Sequence, residues 1–225
     1  YAEAVRRGTA IDWAAYRPKV PTFIGTRAYT RYDLRALVPC FDWTPFFNSW
    51  DLAGKYPKIL EDKVGGVEAR KLWDDAHAML DTLLADPRVS ANAVVGFWPA
   101  NRVGTDDVAL YADNARTTEI ARLRFLRQQV AVEGKPLRSL ADFVAPRESG
   151  VADWLGGFAV TAGTGIEDIA KEYQQKGDDY SAIMVKALGD RFAEAFAEHL
   201  HARVRRELWG YAAGENLDND ALIAE

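Results

Sequence analysis

Cysteine is almost missing from this chain: of its 225 residues only one, Cys40, carries a thiol. An internal disulfide framework is therefore excluded, and a reducing, cytoplasmic setting is expected. Histidine is nearly as scarce, with three. His199 and His201 are two positions apart, so on a helix they point to opposite faces and cannot share a metal. His77, between Ala76 and Ala78 in a helical pattern, has no partner at metal spacing and reads as a rim histidine. Basic residues are not in excess, since 28 Lys and Arg stand against 33 Asp and Glu for a net charge of −5. That balance gives no electrostatic reason to expect nucleic acid. No apolar run approaches the roughly 18 residues of a membrane span, and no secretory signal pattern opens the chain. The GxGxxG, Walker, HExxH, CxxC and GxSxG patterns are all absent, so no motif proposes a hydrolase, a metal centre or a nucleotide fold. Neither a repeat period nor a low-complexity tract occurs.

Aromatic residues, by contrast, are plentiful: seven Trp and nine Tyr suggest a chain that packs or binds through large flat surfaces. Hydrophobic content of 48% and charged content of 27% are those of a globular protein. The length suits one large domain or two small ones, able to bury roughly 70% of the unfolded surface. Both ends read as cuts. YAEAVRR resembles the tail of a charged helix entering from upstream, and NDALIAE stops inside a helical pattern without a cap. The expectation is a piece of a longer polypeptide.

Residues 1–32 read as a linker that then docks, with a short helix ending at Gly8 and long regular structure broken by Pro18 and Pro21. Asp33 to Leu37 can make one helical turn. From Gly66 to Ala85, Val67, Leu72, Trp73, Ala76, Met79, Leu80, Leu83 and Leu84 recur at three- and four-residue steps, which predicts an amphipathic helix closed by Asp86-Pro87. Short strands are predicted at Ala93–Trp98, Val108–Tyr111, Thr117–Phe125 and Trp154–Val160, with PANRVGTDD as a turn and LRFLRQQV open to either strand or helix. Leu137–Val144 reads as a short helical segment. Tyr180–Trp209 is the longest helix; its row Met184, Leu188, Phe192, Phe196, Leu200, Val204 and Leu208 drifts about 40° per step, so it is buried on more than one side. Strands with turn-type connections bracketed by helices indicate an α+β fold with a mostly antiparallel sheet.

Two sets of carboxylates stand out. FDWTPFFNSWDLAGKYP (Phe41–Pro57) surrounds Asp42 with large aromatics. Aspartate is rarely buried unpaired, so Asp42 either caps a helix beginning near Pro45 or awaits a cation in an aromatic-walled hollow. On the long helix, Asp190, Glu194 and His201 project within a narrow arc. A carboxylate pair at i and i+4 repels itself unless something cationic answers it. Arg191, Arg203, Arg205 or Arg206 could do so, leaving a merely solvated face, or a ligand could.

The Phe41–Pro57 stretch closely resembles a signature of the S-adenosylmethionine-binding activation (reactivation) domain of cobalamin-dependent methionine synthase. VVGFWPANRVGTDDVALY (Val94–Tyr111), LADFVAP (Leu140–Pro146) and DDYSAIMVKALGDRFAEAFAEHLHARVRRELWGYA (Asp178–Ala212) resemble the same family in the same order, and matching blocks cover most of the chain from Ile11 onward. The resemblance implies that residues 1–10 end an interdomain linker helix. Residues 11–225 would then be an activation domain truncated at its C-terminus. It implies a C-shaped single α+β domain with a bent, mostly antiparallel sheet flanked by helices. The parent enzyme passes a methyl group from methyltetrahydrofolate to homocysteine through cobalamin, and this domain presents S-adenosylmethionine when the cobalamin has oxidised to cob(II)alamin. The electron comes from flavodoxin or a flavoprotein reductase, and the cobalamin is held by a neighbouring domain of the same polypeptide. By the same resemblance Asp42 matches the position that contacts the ligand's amino group, and Glu194 lies near that ligand. Asp190 and Glu167 fall where the cobalamin domain docks and could hydrogen-bond the histidine that leaves cobalt. The residues just before Glu167 differ from the family by a residue or so.

No catalytic nucleophile is implied; proximity and orientation of the methyl donor do the work. The family's next block, an RxAPGYP-type segment with the arginine for the ligand's carboxylate, is not reached by Glu225. This stretch alone is therefore expected to bind the donor weakly or not at all, and to leave apolar surface exposed. The alternative is a truncated interaction domain that docks on a corrinoid protein or flavoprotein without the methyl donor. An acid/base enzyme using Asp42 and Glu194 would need an assembled pocket and perturbed pKa values.

Overall fold

Strands and helices follow one another without the strict alternation of a doubly wound fold. The order is α1 (Ala2–Arg6), β1 (Gly25–Tyr29), α2 (Trp43–Asn48), α3 (Gly66–Ala85), β2 (Ser90–Val103), β3 (Asp107–Tyr111), β4 (Glu119–Arg124), β5 (Asp153–Thr164), α4 (Ile166–Gln175) and α5 (Asp179–Arg203), joined by short 3-10 turns. The computed structural model describes residues 1–215; the helical pattern read in NDALIAE lies outside them. The five strands make one open sheet in the order β1-β2-β3-β4, with β5 also pairing to β2. It is mostly antiparallel, as an α+β chain requires. The chain separates into one unit of Tyr1–Arg27, Val95–Phe158 and Val204–Glu215, and a second containing Ala28–Val94 and Ala159–Arg203.

In the first unit, β2 and β3 pair from Ala100↔Leu110 to Val103↔Asp107, and β3 continues onto β4 through Val108↔Leu123. The predicted turn PANRVGTDD is thus mostly strand. Asn101 explains why a polar residue survives there: buried to 4%, its amide donates to the carbonyls of Ala145 (3.0 Å) and Val151 (2.9 Å). LRFLRQQV is extended rather than helical, because Phe125 N–H donates to Asp106 O and Gln128 N–H to Arg138 O. Ala100, Val108, Leu110, Ala141 and Val144 form a core closed by Trp98, Leu123, Phe125 and Leu155.

The N-terminal segment docks on this unit, as expected of residues 1–32. Leu137 N–H donates to Arg7 O at 2.7 Å and Thr9 N–H to Asp142 Oδ2 at 3.1 Å.

In the second unit α3 spans the predicted residues and buries Ala69, Leu72, Ala76, Leu80 and Leu83. Helix α5 buries Met184, Leu188, Phe192, Phe196 and Leu200 along the row that winds round it. It gives way at Val204–Leu208 to a wider π-type turn, so the regular helix is shorter than the periodicity predicted. Helix α4 was not foreseen. Its Ile166, Ile169 and Ala170 are buried, and a Cβ at Gly189 of α5 would lie 2.8 Å from Ile166 Cγ2. Glycine there lets the two helices approach closely.

Candidate functional site

The stretch around Asp42 becomes a short helix because its first turn is prepared on both sides. Pro45 presets φ inside the turn, and Asp42 Oδ1 accepts the Thr44 N–H at 2.9 Å as N-cap. Asp42 is exposed, and its Oδ2 has no partner among the described residues. The cap and the cation-binding role are therefore compatible: one oxygen holds the helix, the other is open.

The expected aromatic-walled hollow is not found in that form. Phe46 and Phe47 are 1% and 0% exposed, and Phe41 and Trp43 are buried too. Burial of large apolar area outweighs keeping rings open for a ligand, so these side chains are the core beneath Asp42. Trp43 stacks on His77 at 5.0 Å and meets Trp73 edge-on at 4.6 Å. His77 Nδ1–H donates to the Trp73 carbonyl at 2.8 Å. The rim histidine is thus a half-buried wedge between two indoles.

Phe41 packs edge-to-face on Phe192 at 5.0 Å, which sets the entry to α2 against α5. Arg191 and Glu194 on that helix form a hydrogen-bonded ion pair, with the guanidinium side chain 17% exposed and the carboxylate 53%. Asp190, exposed one turn earlier, has no ion pair among the described residues. On α4, Glu167 pairs with Lys186 Nζ at 3.5 Å, both in open solvent. The acidic face is therefore answered in part by the protein's own cations, and Arg191 is the one of the four candidate arginines that does so for Glu194. No hydrogen bond joins Asp42 to Glu194 among the described residues.

None of these four carboxylates lines a cavity described in the second unit. One, of about 270 Å³, lies between α3 and α5 against Asp75, Met79, Thr82, Tyr180 and Met184. There the Tyr180 hydroxyl donates to Asp75 Oδ2 at 2.8 Å, and burial together with that carboxylate pushes the phenol up to about 12. Trp50 of the aromatic stretch packs on the Tyr180 ring at 5.0 Å. In the first unit a cavity of about 320 Å³ is lined by Tyr16, Phe143, Asp153, Trp154 and Trp209. Burial pushes the Asp153 carboxyl up, although it accepts from Ala145 N–H and Trp154 N–H.

Sequence reasoning missed one feature of the first unit altogether, a buried cluster of Asp106, Arg127 and Asp142. Its only sequence signal is charge inside otherwise apolar segments. Among the described residues no group of His, Cys, Asp and Glu could hold a metal ion, and no helix is long and apolar enough to cross a membrane.

An α+β domain with an open sheet and an exposed acidic helix face defines a surface-binding module. The chain belongs to the activation-domain family of vitamin B12 dependent methionine synthases, whose family model matches residues 33–225. A crystal structure of the MetH reactivation domain bound to AdoHcy is 49% identical to it, with a TM-score of 0.92 over 99% of this chain and 68% of that one.

Proposed function

We propose that this chain binds S-adenosylmethionine and presents it to a cobalamin held by another domain, as the activation module of a methionine synthase. The observation that carries the reading is the likeness to a reactivation domain crystallised with AdoHcy, the demethylated form of that donor. The donor set fits a cationic ligand. Oδ2 of Asp42 is an open acceptor for an ammonium group, and Glu194 is exposed enough to add a second carboxylate. S-adenosylmethionine supplies an activated methyl group; the residues of this chain supply only binding and orientation. Asp190 and Glu167 serve as docking positions for the cobalamin domain, residues 1–10 end the linker from it, and flavodoxin or a flavoprotein reductase delivers the electron in the cytoplasm.

Calorimetric titration with S-adenosylmethionine tests the reading. Saturable binding to the chain, weakened in Asp42→Asn, is expected. Absence of binding, in the presence of a normally folded chain, would replace it with the alternative of a docking domain that does not take the donor.

A further inference from the structure

S-adenosylmethionine and AdoHcy share the adenosine, ammonium and carboxylate groups and differ by one methyl and one charge. At neutral pH the sulfonium makes the donor +1 overall, while the thioether product is neutral. A site that prefers fresh donor over spent product must therefore read that single charge, and it does so through the net charge of the protein groups around it.

In this structure the two proposed ligand carboxylates are not electrostatically equivalent. Asp42 is engaged only by a neutral backbone N–H. Glu194 is engaged by a full positive charge, the Arg191 guanidinium three residues earlier on α5. Arg191 is itself largely covered, at 17% side-chain exposure, so its charge stays beside Glu194 rather than sweeping through solvent. Two neighbours define the rest of this turn: Asp190, which is exposed and has no ion pair among the described residues, and Phe192, which is fully buried against Phe41.

We infer that Arg191 is a specificity-determining residue: by neutralising Glu194 it lowers the preference of the site for S-adenosylmethionine over AdoHcy. The inference rests on the proposed binding role of Asp42 and Glu194. A purely structural role is the competing account. Arg191 would then only relieve the repulsion between Asp190 and Glu194 along the helix, and its loss would weaken α5 without favouring either ligand.

Titration of S-adenosylmethionine and of AdoHcy into the full chain, at low and high salt, separates the two accounts. Arg191→Gln is expected to raise the ratio of the two affinities in favour of S-adenosylmethionine by roughly three- to tenfold, the effect of one unit charge at several ångströms in a partly solvated site. High salt should shrink that change, because exposed charges are screened within about 8 Å at physiological ionic strength. Arg191→Lys should keep the wild-type ratio. In a Glu194→Gln background, Arg191→Gln should have no further effect if it acts through that carboxylate. A ratio unchanged in Arg191→Gln overturns the inference, as does a change that persists in the Glu194→Gln background. If the wild-type chain binds neither ligand, the proposed function falls and the inference with it; if it binds both at a ratio no variant moves, the inference falls alone.

Discussion

Arg127 and Asp142 meet inside the first unit as a two-pronged pair, their side chains 1% and 2% exposed. All five guanidinium N–H donors find acceptors: Nε and Nη2 reach Asp106 Oδ1, Nη1 and Nη2 reach the two Asp142 oxygens, and Nη1 also reaches Leu137 O. Asp142 further accepts from the N–H groups of Thr9 and Ser139, the latter closing a capping box. One buried cation thus ties together the N-terminal segment, the β2–β3 turn and the chain after β4.

Replacing Arg127 by Met should be among the most damaging single changes. It strands two buried carboxylates, and breaking such a cluster costs about 3–5 kcal/mol. Lysine should rescue it poorly, since a point charge cannot fork to both carboxylates. Urea denaturation measures this; a loss below about 0.5 kcal/mol, the ordinary range for surface changes, would refute the assigned role.

The same pair predicts acid sensitivity. Burial pushes the Asp142 carboxyl up, but Arg127 and the Ser139 and Thr9 N–H groups outweigh it and hold the group below its ordinary 3.8. A carboxyl depressed on folding contributes stability above its unfolded value, and that contribution is lost as pH falls through the folded value. Stability should therefore drop on acidification below about pH 4, and Asp142→Asn should flatten that limb while lowering stability at neutral pH. Asp153, raised by burial, acts with opposite sign just above 3.8. An acid limb equally steep in Asp142→Asn would exclude this source.

Gly8 lies against the cluster, where an added Cβ would come 2.6 Å from Arg127 Nη1 and 3.2 Å from Val5 O. Gly8→Ala should push the N-terminal segment off its seat at a cost of about 1–3 kcal/mol, the usual range for overpacking. Faster tryptic cleavage at Arg6 and Arg7 reports it; wild-type cleavage rates would show that the segment adapts.

At Asp42 the cap and the charge can be separated. Asparagine caps nearly as well as aspartate, whereas alanine loses about 1 kcal/mol. Asp42→Asn should keep the thermal midpoint and lose affinity for S-adenosylmethionine, and Asp42→Ala should lose both. Equal affinities in wild type and Asp42→Asn would leave Asp42 with the cap alone.

Much of this was legible before the fold was known. The period of α3, the winding apolar row of α5, the cap at Asp42 and the antiparallel strands all follow from residues within a few positions of one another. Helix α4 escaped because its apolar signal is three residues long and follows a glycine-rich stretch. The turn read into residues 99–107 failed because Pro99 and Asn101 look like loop residues until a partner carbonyl is supplied.

Local pattern, then, determined the class of fold, the family and the side chains worth watching, because helical period, strand alternation and capping are short-range. Tertiary structure alone decided which charges are answered. Arg127 reaches carboxylates 21 and 15 positions away, and Tyr180 reaches Asp75 across 105. Pairing at such separations is set by how the elements pack, and a linear pattern carries no record of that packing.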